Sequence, residues 1–416
     1  MTETETETSL TNTPPASLMR NRSFMLVWMS GLAIMLGFSM FFLSVSWFIV
    51  DVLNRPAVLG AVLMSVSIPR VIMMIYGGIL ADKIRKSLIM FVTNFLQGLV
   101  MVTMIILFFN DWLHVGSLIV IALVFGFLDA FFFPAVSSMI PIIVRDEQLQ
   151  RANSLFQGST EMMFIIGPLV AGVLLTIGDF TLTFSAAAIL IFSSTVLVFP
   201  AFIQDPKPEK REGSPSALED LKEGLTYVRQ SHVHRTGTIA IVIINLFMIG
   251  PLIISFPILV DSLGGSPFEL SLLEAGLSAG TFLASVLLVI WNLKRKRGRL
   301  VFGSLLLSFA FFIVFSQVTA LPPLVLLAGL TGFMAMFVYL PTVTLVQERT
   351  DKNKLGRVMS IITLAASGFE PLAFGLISFL VAAELPIQTI LMIAGSTGLL
   401  FSGALVYFSS SFRRLD

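Results

Sequence analysis

Residues 57–109 read AVLGAVLMSVSIPRVIMMIYGGILADKIRKSLIMFVTNFLQGLVMVTMIILFF. Two long apolar runs flank a turn that holds Asp82, Lys83, Arg85 and Lys86. At about 1.5 Å per residue, each run is long enough to cross the ~30 Å hydrocarbon core of a bilayer as a helix. Backbone polar groups in lipid must be paired within their own segment, so a helix is the form such a run takes. The stretch reads as a membrane helix, a short charged turn and a second membrane helix.

The pattern recurs along the whole chain. Apolar runs fall near 24–50, 57–81, 87–109, 115–140, 153–177, 180–203, 237–260, 268–292, 300–319, 322–346, 358–382 and 387–409. Twelve spans account for a 416-residue chain that is 56% hydrophobic and 12% charged, with a mean hydropathy of +0.92. A soluble domain carries roughly 25% charged residues and could not hide so much apolar surface from water. The net charge of +1 supplies no basic field for nucleic acid. Cysteine is absent, which removes disulfides, thiolate metal sites and cysteine nucleophiles together. His114, His232 and His234 are expected in loops with no ligand-spaced cluster, so no metal and no cofactor is expected. No P-loop lysine motif points to ATP, and no nucleophile–base set points to an enzyme.

Charge sets the orientation. One side of the alternating spans holds Arg20, Arg22, Lys83, Arg85, Lys86, Arg145, Arg151, the cluster from Lys294 to Arg299, Arg349, Lys352, Lys354, Arg357, Arg413 and Arg414. The other side holds Arg55 alone, so both termini are expected in the cytoplasm of a bacterial-type cell membrane. Residues 1–19 are polar, lack the basic start of a cleaved leader, and read as a disordered tail. The longest interior polar segment, 204–236, divides the chain into a six-helix bundle at 20–203 and another at 237–416. Within it Leu218, Leu221, Leu225 and Val228 recur at helical spacing, which predicts an amphipathic helix at the cytoplasmic interface. Two six-span halves are a transporter architecture with the substrate site between them.

The turn quoted above contains Gly77-Gly78-Ile-Leu80-Ala81-Asp82-Lys83-Ile-Arg85-Lys86. It resembles the signature of the major facilitator superfamily between helices two and three, with Gly78, Leu80, Ala81 and Asp82 matching, Lys83 and Lys86 replacing arginines, and Arg85 standing at a usual glycine. A second string, Gly158, Gly167-Pro168 and Ala171-Gly172, resembles the antiporter signature of that superfamily. Residues 158, 161, 165, 168 and 172 share one helical stripe, and small residues there let another helix approach closely. Span eight offers Ala275, Gly276, Ala279, Gly280 and Ala284 as a partner face. Pro134-Ala135, the string Arg145 to Ser154 and the loop helix Glu219 to Arg229 are similar to the twelve-span drug-exporter branch that includes macrolide-efflux and enterobactin-export proteins. The resemblance implies an all-α integral membrane protein of two pseudo-symmetric six-helix bundles, monomeric, with Gly78, Asp82, Lys83, Arg85 and Lys86 as a conformational latch.

Arg70, Asp129, Glu161, Glu274 and Glu370 fall inside predicted spans. Each costs on the order of 2.5–3.5 kcal/mol at a helix centre, so each is expected to face the bundle interior or water. One base cannot neutralise four acids, and the others must be hydrated or protonated. A carboxyl that takes a proton facing one side and releases it facing the other is a proton carrier, so Asp129, Glu161, Glu370 and Arg70 are the proton-coupling candidates, with sodium as an alternative ion. Asp129 could instead join the latch through Lys83 or Arg85, Glu274 could be a hydrated rim residue, and Arg70 a structural counter-ion. Phe41, Trp47, Phe132, Asn245, Glu274, Met336 and Tyr339 are candidates for a greasy, adaptable cavity wall. The expected activity is proton-coupled export of hydrophobic or amphiphilic small molecules. An importer, a siderophore exporter or a lipid flippase of the same fold, or a non-transporting scaffold or receptor, are the alternatives.

Overall fold

The computed structural model describes residues 18–203, 205, 217–291 and 295–414. Most of the expected polar tail, residues 206–216 of the linker and Lys294 lie outside the described residues. Twelve segments are helical, long and apolar enough to cross a membrane. In chain order they are α1 (Arg22–Trp47, continued by a π-helical stretch Phe48–Val52), α2 (Leu59–Lys83), α3 (Lys86–Phe109), α4 (Val115–Ile143), α5 (Asp146–Ile177) and α6 (Phe180–Leu197). The amphipathic helix is α7 (Ala217–Gln230). The second set is α8 (His232–Ile244) with α9 (Gly250–Ser262), α10 (Pro267–Trp291), α11 (Arg297–Phe315), α12 (Leu321–Glu348), α13 (Leu355–Ser367) with α14 (Glu370–Ala382), and α15 (Ile387–Phe408), followed by a short α16 (Ser410–Arg413).

Among the differences from the sequence expectation, three bear on the site and its surroundings. The seventh span starts at His232, so His232 and His234 are helical; His234 is buried and held between Ser231 and Thr350 at 2.7 and 2.8 Å. Hydrogen bonds to side chains let this polar first turn continue the apolar helix below it. The fifth span begins at Asp146, because the acids Asp146 and Glu147 suit the positive end of a helix. The eleventh span is two helices separated by Gly368 and Phe369.

The two bundles repeat one packing plan. In the first, α2 packs on α4, α3 on α4 and α6, and α1 on α5 and α6; in the second, α10 packs on α12, α11 on α12 and α15, and α9 on α14 and α15. Apolar side chains such as Phe24, Phe125, Phe132 and Phe184 fill the first core, and Phe256, Phe309, Phe312 and Phe315 the second. The outer side of α3 leaves Leu88, Val92, Phe95, Leu99 and Ile106 uncovered, as a lipid-facing helix does.

The start of α1, α16, α7 and the described cation-rich turns lie at one end of the bundles, the basic face. The bundles meet along two seams, α2 with α14 and α5 with α10. Contacts there cluster toward the opposite face: Gly60 N–H donates to Ser378 Oγ at 2.8 Å, Met64 meets Gly375, and Gly172 meets Ser271. Toward the basic face the seams part. No atom of another helix lies within 4 Å of the Cβ position at Gly158 or Gly356, and Ile68, Ile72, Tyr76 and Met162 are exposed. The molecule is closed on one face and cleft on the other.

Candidate functional site

The cleft is built from helix faces that meet near mid-membrane. In the N-terminal bundle, α2 and α4 touch backbone to side: a Cβ at Gly126 would collide with the Val66 carbonyl, so only glycine permits this approach. One turn farther along, Arg70 Nε stands 3.3 Å from Asp129 Oδ2. Asp129 is 4% exposed and Arg70 38%, so the acid is sealed between helices while the guanidinium reaches the cleft. The partner of Asp129 is thus Arg70, on the neighbouring helix, and not Lys83 or Arg85 on the basic turn. A buried pair such as this is costly to break, because removal of either partner strands a charge in a low-dielectric setting.

Arg70 also acts electrostatically on Glu370, which belongs to the other bundle. Glu370 is the first residue of α14, and Pro371 follows it. Proline suits the start of a helix because it has no N–H to leave unpaired there. The Gly368-Phe369 interruption therefore turns a mid-span proline into a helix beginning, and it places a carboxylate at the positive end of a half-helix. Broken helices of this kind in membranes are confined to places where the backbone lines a cavity or protein.

Glu161 sits on the cleft side of the continuous helix α5, half-buried, accepting a hydrogen bond from Gln157 Nε2 at 3.0 Å. Its charge reaches Tyr339 on α12 of the opposite bundle. Beside Tyr339 lies a cavity of about 170 Å³, walled by α8, α10, α12 and α13, with Asn245, Thr281, Ala335, Met336 and Tyr339 on its surface. Asn245 opens a π-helical stretch, Asn245–Ile249, in the middle of the seventh span. The stretch was not visible in the sequence; such π-helical turns are frequent at functional sites.

The remaining candidates take other places. Phe41 is buried inside the N-terminal bundle, its ring stacked on Phe125 at 4.6 Å; Trp47 and Phe132 are likewise packed in that core and not on the cavity wall. Large apolar side chains at interior positions of a six-helix bundle fill space between helices before they can line a cleft. Glu274 is half-buried on α10, one turn beyond the Ser271 contact on the closed face. On α5, Gly158 faces open space, Gly167 meets Ser39 of α1, buried Pro168 adjoins it, and Gly172 meets Ser271. The glycines expected to oppose this stripe do not: Gly276 and Gly280 turn to Val325 and Gly329 of α12. Of the latch candidates, Gly78 and Asp82 lie in α2 with side chains outside the described set; Lys83 and Arg85 are exposed and Lys86 is buried.

Two polar contacts on the basic face were not anticipated. Asp205, just past α6, accepts from Ser87 N–H at 2.9 Å and Ser87 Oγ at 3.0 Å, capping the helix that follows the charged turn. A side-chain cap of this type contributes about 1 kcal/mol. The helix α7 docks on α13 through Arg357, whose Nε and Nη1 donate to Asp220 and Glu223 at 2.6 Å each, with Lys354 beside Glu223 at 3.8 Å. Asp205 stands more than a hundred residues from Ser87, so nothing in local sequence couples them.

Comparison with known proteins agrees with this geometry. The family described as Major Facilitator Superfamily matches residues 27–249 and 238–414. The chain is 24% identical over 297 residues to macrolide efflux protein A of Enterococcus faecalis, covering 68% of this chain and 88% of that one. It is 24% identical over 334 residues to the enterobactin exporter EntS of Shigella dysenteriae, covering 79% and 78%. A crystal structure of the POT family transporter PepTSo superposes with a TM-score of 0.75 at 13% identity, over 95% of this chain and 99% of that one, and shares the fold.

Proposed function

The chain belongs to the Major Facilitator Superfamily, and from that premise we propose that it is a proton-coupled exporter of hydrophobic or amphiphilic small molecules. On this reading the basic face is the cytoplasmic one, and a cleft open on that face is the inward-open stage of alternating access. The observation that carries the reading is the Arg70–Asp129 pair opening onto a cleft that also holds Glu161 and Glu370. Ionisable groups at mid-membrane are too costly to persist without a task, and a carboxylate exchanging its counter-ion for a proton is such a task. The apolar walls around Met336 and Tyr339 favour greasy cargo. The exporting relatives support the direction. The latch reading of Asp82, Lys83 and Arg85 fits their position at the mouth, where closing the cleft would bring them toward the second bundle.

The test is transport in proteoliposomes driven by an imposed pH gradient. Asp129→Asn and Glu161→Gln should each slow gradient-driven efflux by about tenfold or more, while exchange of labelled for unlabelled cargo without a gradient persists. Full gradient-driven rates in both variants would remove the proton-carrier assignment.

A further inference from the structure

The basic face holds a patch that has no part in the cleft. In the sequence, the string from Lys294 to Arg299 together with Arg413 and Arg414 carries seven bases, against one nearby acid, Asp416, which lies outside the described residues. The fold joins the two strings. The Phe412 carbonyl and the Arg413 backbone press on Gly298, where a Cβ would collide, and the Phe302 and Phe412 rings meet at 5.2 Å. Arg295, Arg299, Arg413 and Arg414 are exposed around this contact. The acid that reaches the turn among the described residues is Glu348, and Arg297 engages it at 2.7 Å. Other basic turns on this face carry acids of their own: Asp82 precedes Lys83, Asp146 and Glu147 follow Arg145, and Asp220 and Glu223 hold Arg357. The spans that feed the patch end in open aromatic side chains. Trp291 closes α10 at 61% exposed, and Tyr407 and Phe408 close α15 at 80% and 82%. Trp and Tyr on the rim of a membrane protein sit at headgroup level. Arg295 follows Trp291 by four residues and Arg413 follows Phe408 by five, so the guanidinium groups stand at the level of the phosphates.

We propose that this patch binds the headgroup of an anionic phospholipid, with Arg295, Arg299, Arg413 and Arg414 meeting the phosphate and Trp291, Tyr407 and Phe408 lying against the acyl chains. A guanidinium presents parallel N–H donors that match a phosphate diester. Basic clusters at the ends of membrane helices favour such headgroups by about fivefold for each arginine in contact. A zwitterionic lipid brings its own cation and gains far less. The occupant is a lipid rather than a soluble polyanion because charge and open aromatic surface form one continuous patch across the membrane boundary. Neither α11 nor α15 contributes to the cavity beside Tyr339, so the site lies apart from the cargo and the inference does not rest on the transport reading.

Trp291 is a reporter at the patch, because brominated acyl chains quench tryptophan on contact. The purified full chain is placed in phosphatidylcholine vesicles holding a minor fraction of brominated phosphatidylglycerol or of brominated phosphatidylcholine. The emission of Trp291 is the difference between the wild type and Trp291→Phe. Mole for mole, brominated phosphatidylglycerol should associate at Trp291 about tenfold more strongly than brominated phosphatidylcholine, and high salt should shrink the ratio. Arg299→Gln with Arg413→Gln should bring the ratio near one, and Arg299→Lys with Arg413→Lys should keep most of it. Arg145→Gln with Arg151→Gln, on the same face but among acids, should leave it unchanged. Should the glutamine pair at 299 and 413 fail to fold, judged by gel filtration, the wild-type ratio and its salt dependence carry the test. Equal quenching by the two lipids, a ratio untouched by the pair at 299 and 413, or an equal fall in the pair at 145 and 151 overturns the proposal. Displacement of the brominated lipid by single-stranded RNA at physiological salt would overturn it in favour of a soluble polyanion. Dimerisation lost in the pair at 299 and 413 would overturn it in favour of a second copy of the chain.

Discussion

In the N-terminal bundle Gly126 of α4 rests on the Val66 carbonyl of α2, and a turn farther in Asp129 meets Arg70. In the C-terminal bundle Gly332 of α12 rests on the Leu277 carbonyl of α10, and a turn farther in stand Ala335 and Thr281. One helix contact is thus used twice. Where the first bundle places an ion pair, the second places a small side chain, and the space left over is the cavity. The seams are alike in another way: Gly60 of α2 lies under Ser378 of α14, and Gly172 of α5 under Ser271 of α10, so at each seam the first bundle supplies the glycine and the second the serine. The helices flanking the cleft differ in stiffness. The span with Glu161 is one unbroken helix, whereas its counterpart with Glu370 is interrupted and the seventh span carries a π-helical stretch. The ion pair thus belongs to the bundle whose Glu161 span is continuous, and the cavity to the bundle whose Glu370 span is interrupted.

The largest effect is expected where the first bundle differs most from the second. Asp129→Ala strands Arg70; it should abolish gradient-driven transport and lower stability by about 2 kcal/mol, toward the small end for buried pairs because Arg70 is partly exposed. The double variant Asp129→Leu with Arg70→Met mimics the uncharged contact of α10 with α12 in the second bundle. It should recover the thermal midpoint in a nanodisc melt and still fail to couple transport to the gradient. Coupled transport by the double variant would break the division of labour. A middle-sized effect is expected at the interruption: Pro371→Ala returns a backbone N–H and lets α13 and α14 approach a continuous helix like α5. Turnover should fall by about threefold with cargo affinity unchanged, as for a residue that serves motion more than recognition. The smallest effect is expected at the surface. Arg357→Ala removes exposed ion pairs of little energetic weight, so transport should stay within about twofold. A spin label at Leu225→Cys, placed in a chain with no other cysteine, should nevertheless gain mobility as α7 loosens.

The span count, the even division and the amphipathic helix were legible because hydropathy and charge alternation are local. The charged mid-span residues were legible for the same reason: a Glu, Asp or Arg in an apolar run stands out alone. What those residues meet was not. Arg70 and Asp129 are joined by the register of α2 on α4, which the Gly126 contact sets, and Asp129 reads equally well as a partner of the basic turn until that register is known. The Gly-Phe-Glu-Pro string at 368–371 carries a breaker signal in its proline, but sequence alone does not separate a weakened helix from an interrupted one. Phe41, Trp47 and Phe132 show the limit of reasoning from residue type, since an aromatic ring suits a core and a cleft wall alike. The grip of Asp220 and Glu223 on Arg357 lies beyond sequence reading, because exposed charges seldom announce their partners.

The linker is fastened at both ends. Asp205 is moored to Ser87 in one bundle, and α7 is moored to Arg357 in the other. Covalent geometry alone keeps Asp205 and Ala217 within about 40 Å of each other, whatever form the residues between them take. Any relative movement of the two bundles on the basic face therefore has a ceiling at these two anchors. That ceiling is written as a number of residues, and lengthening or trimming the segment between the anchors would reset it.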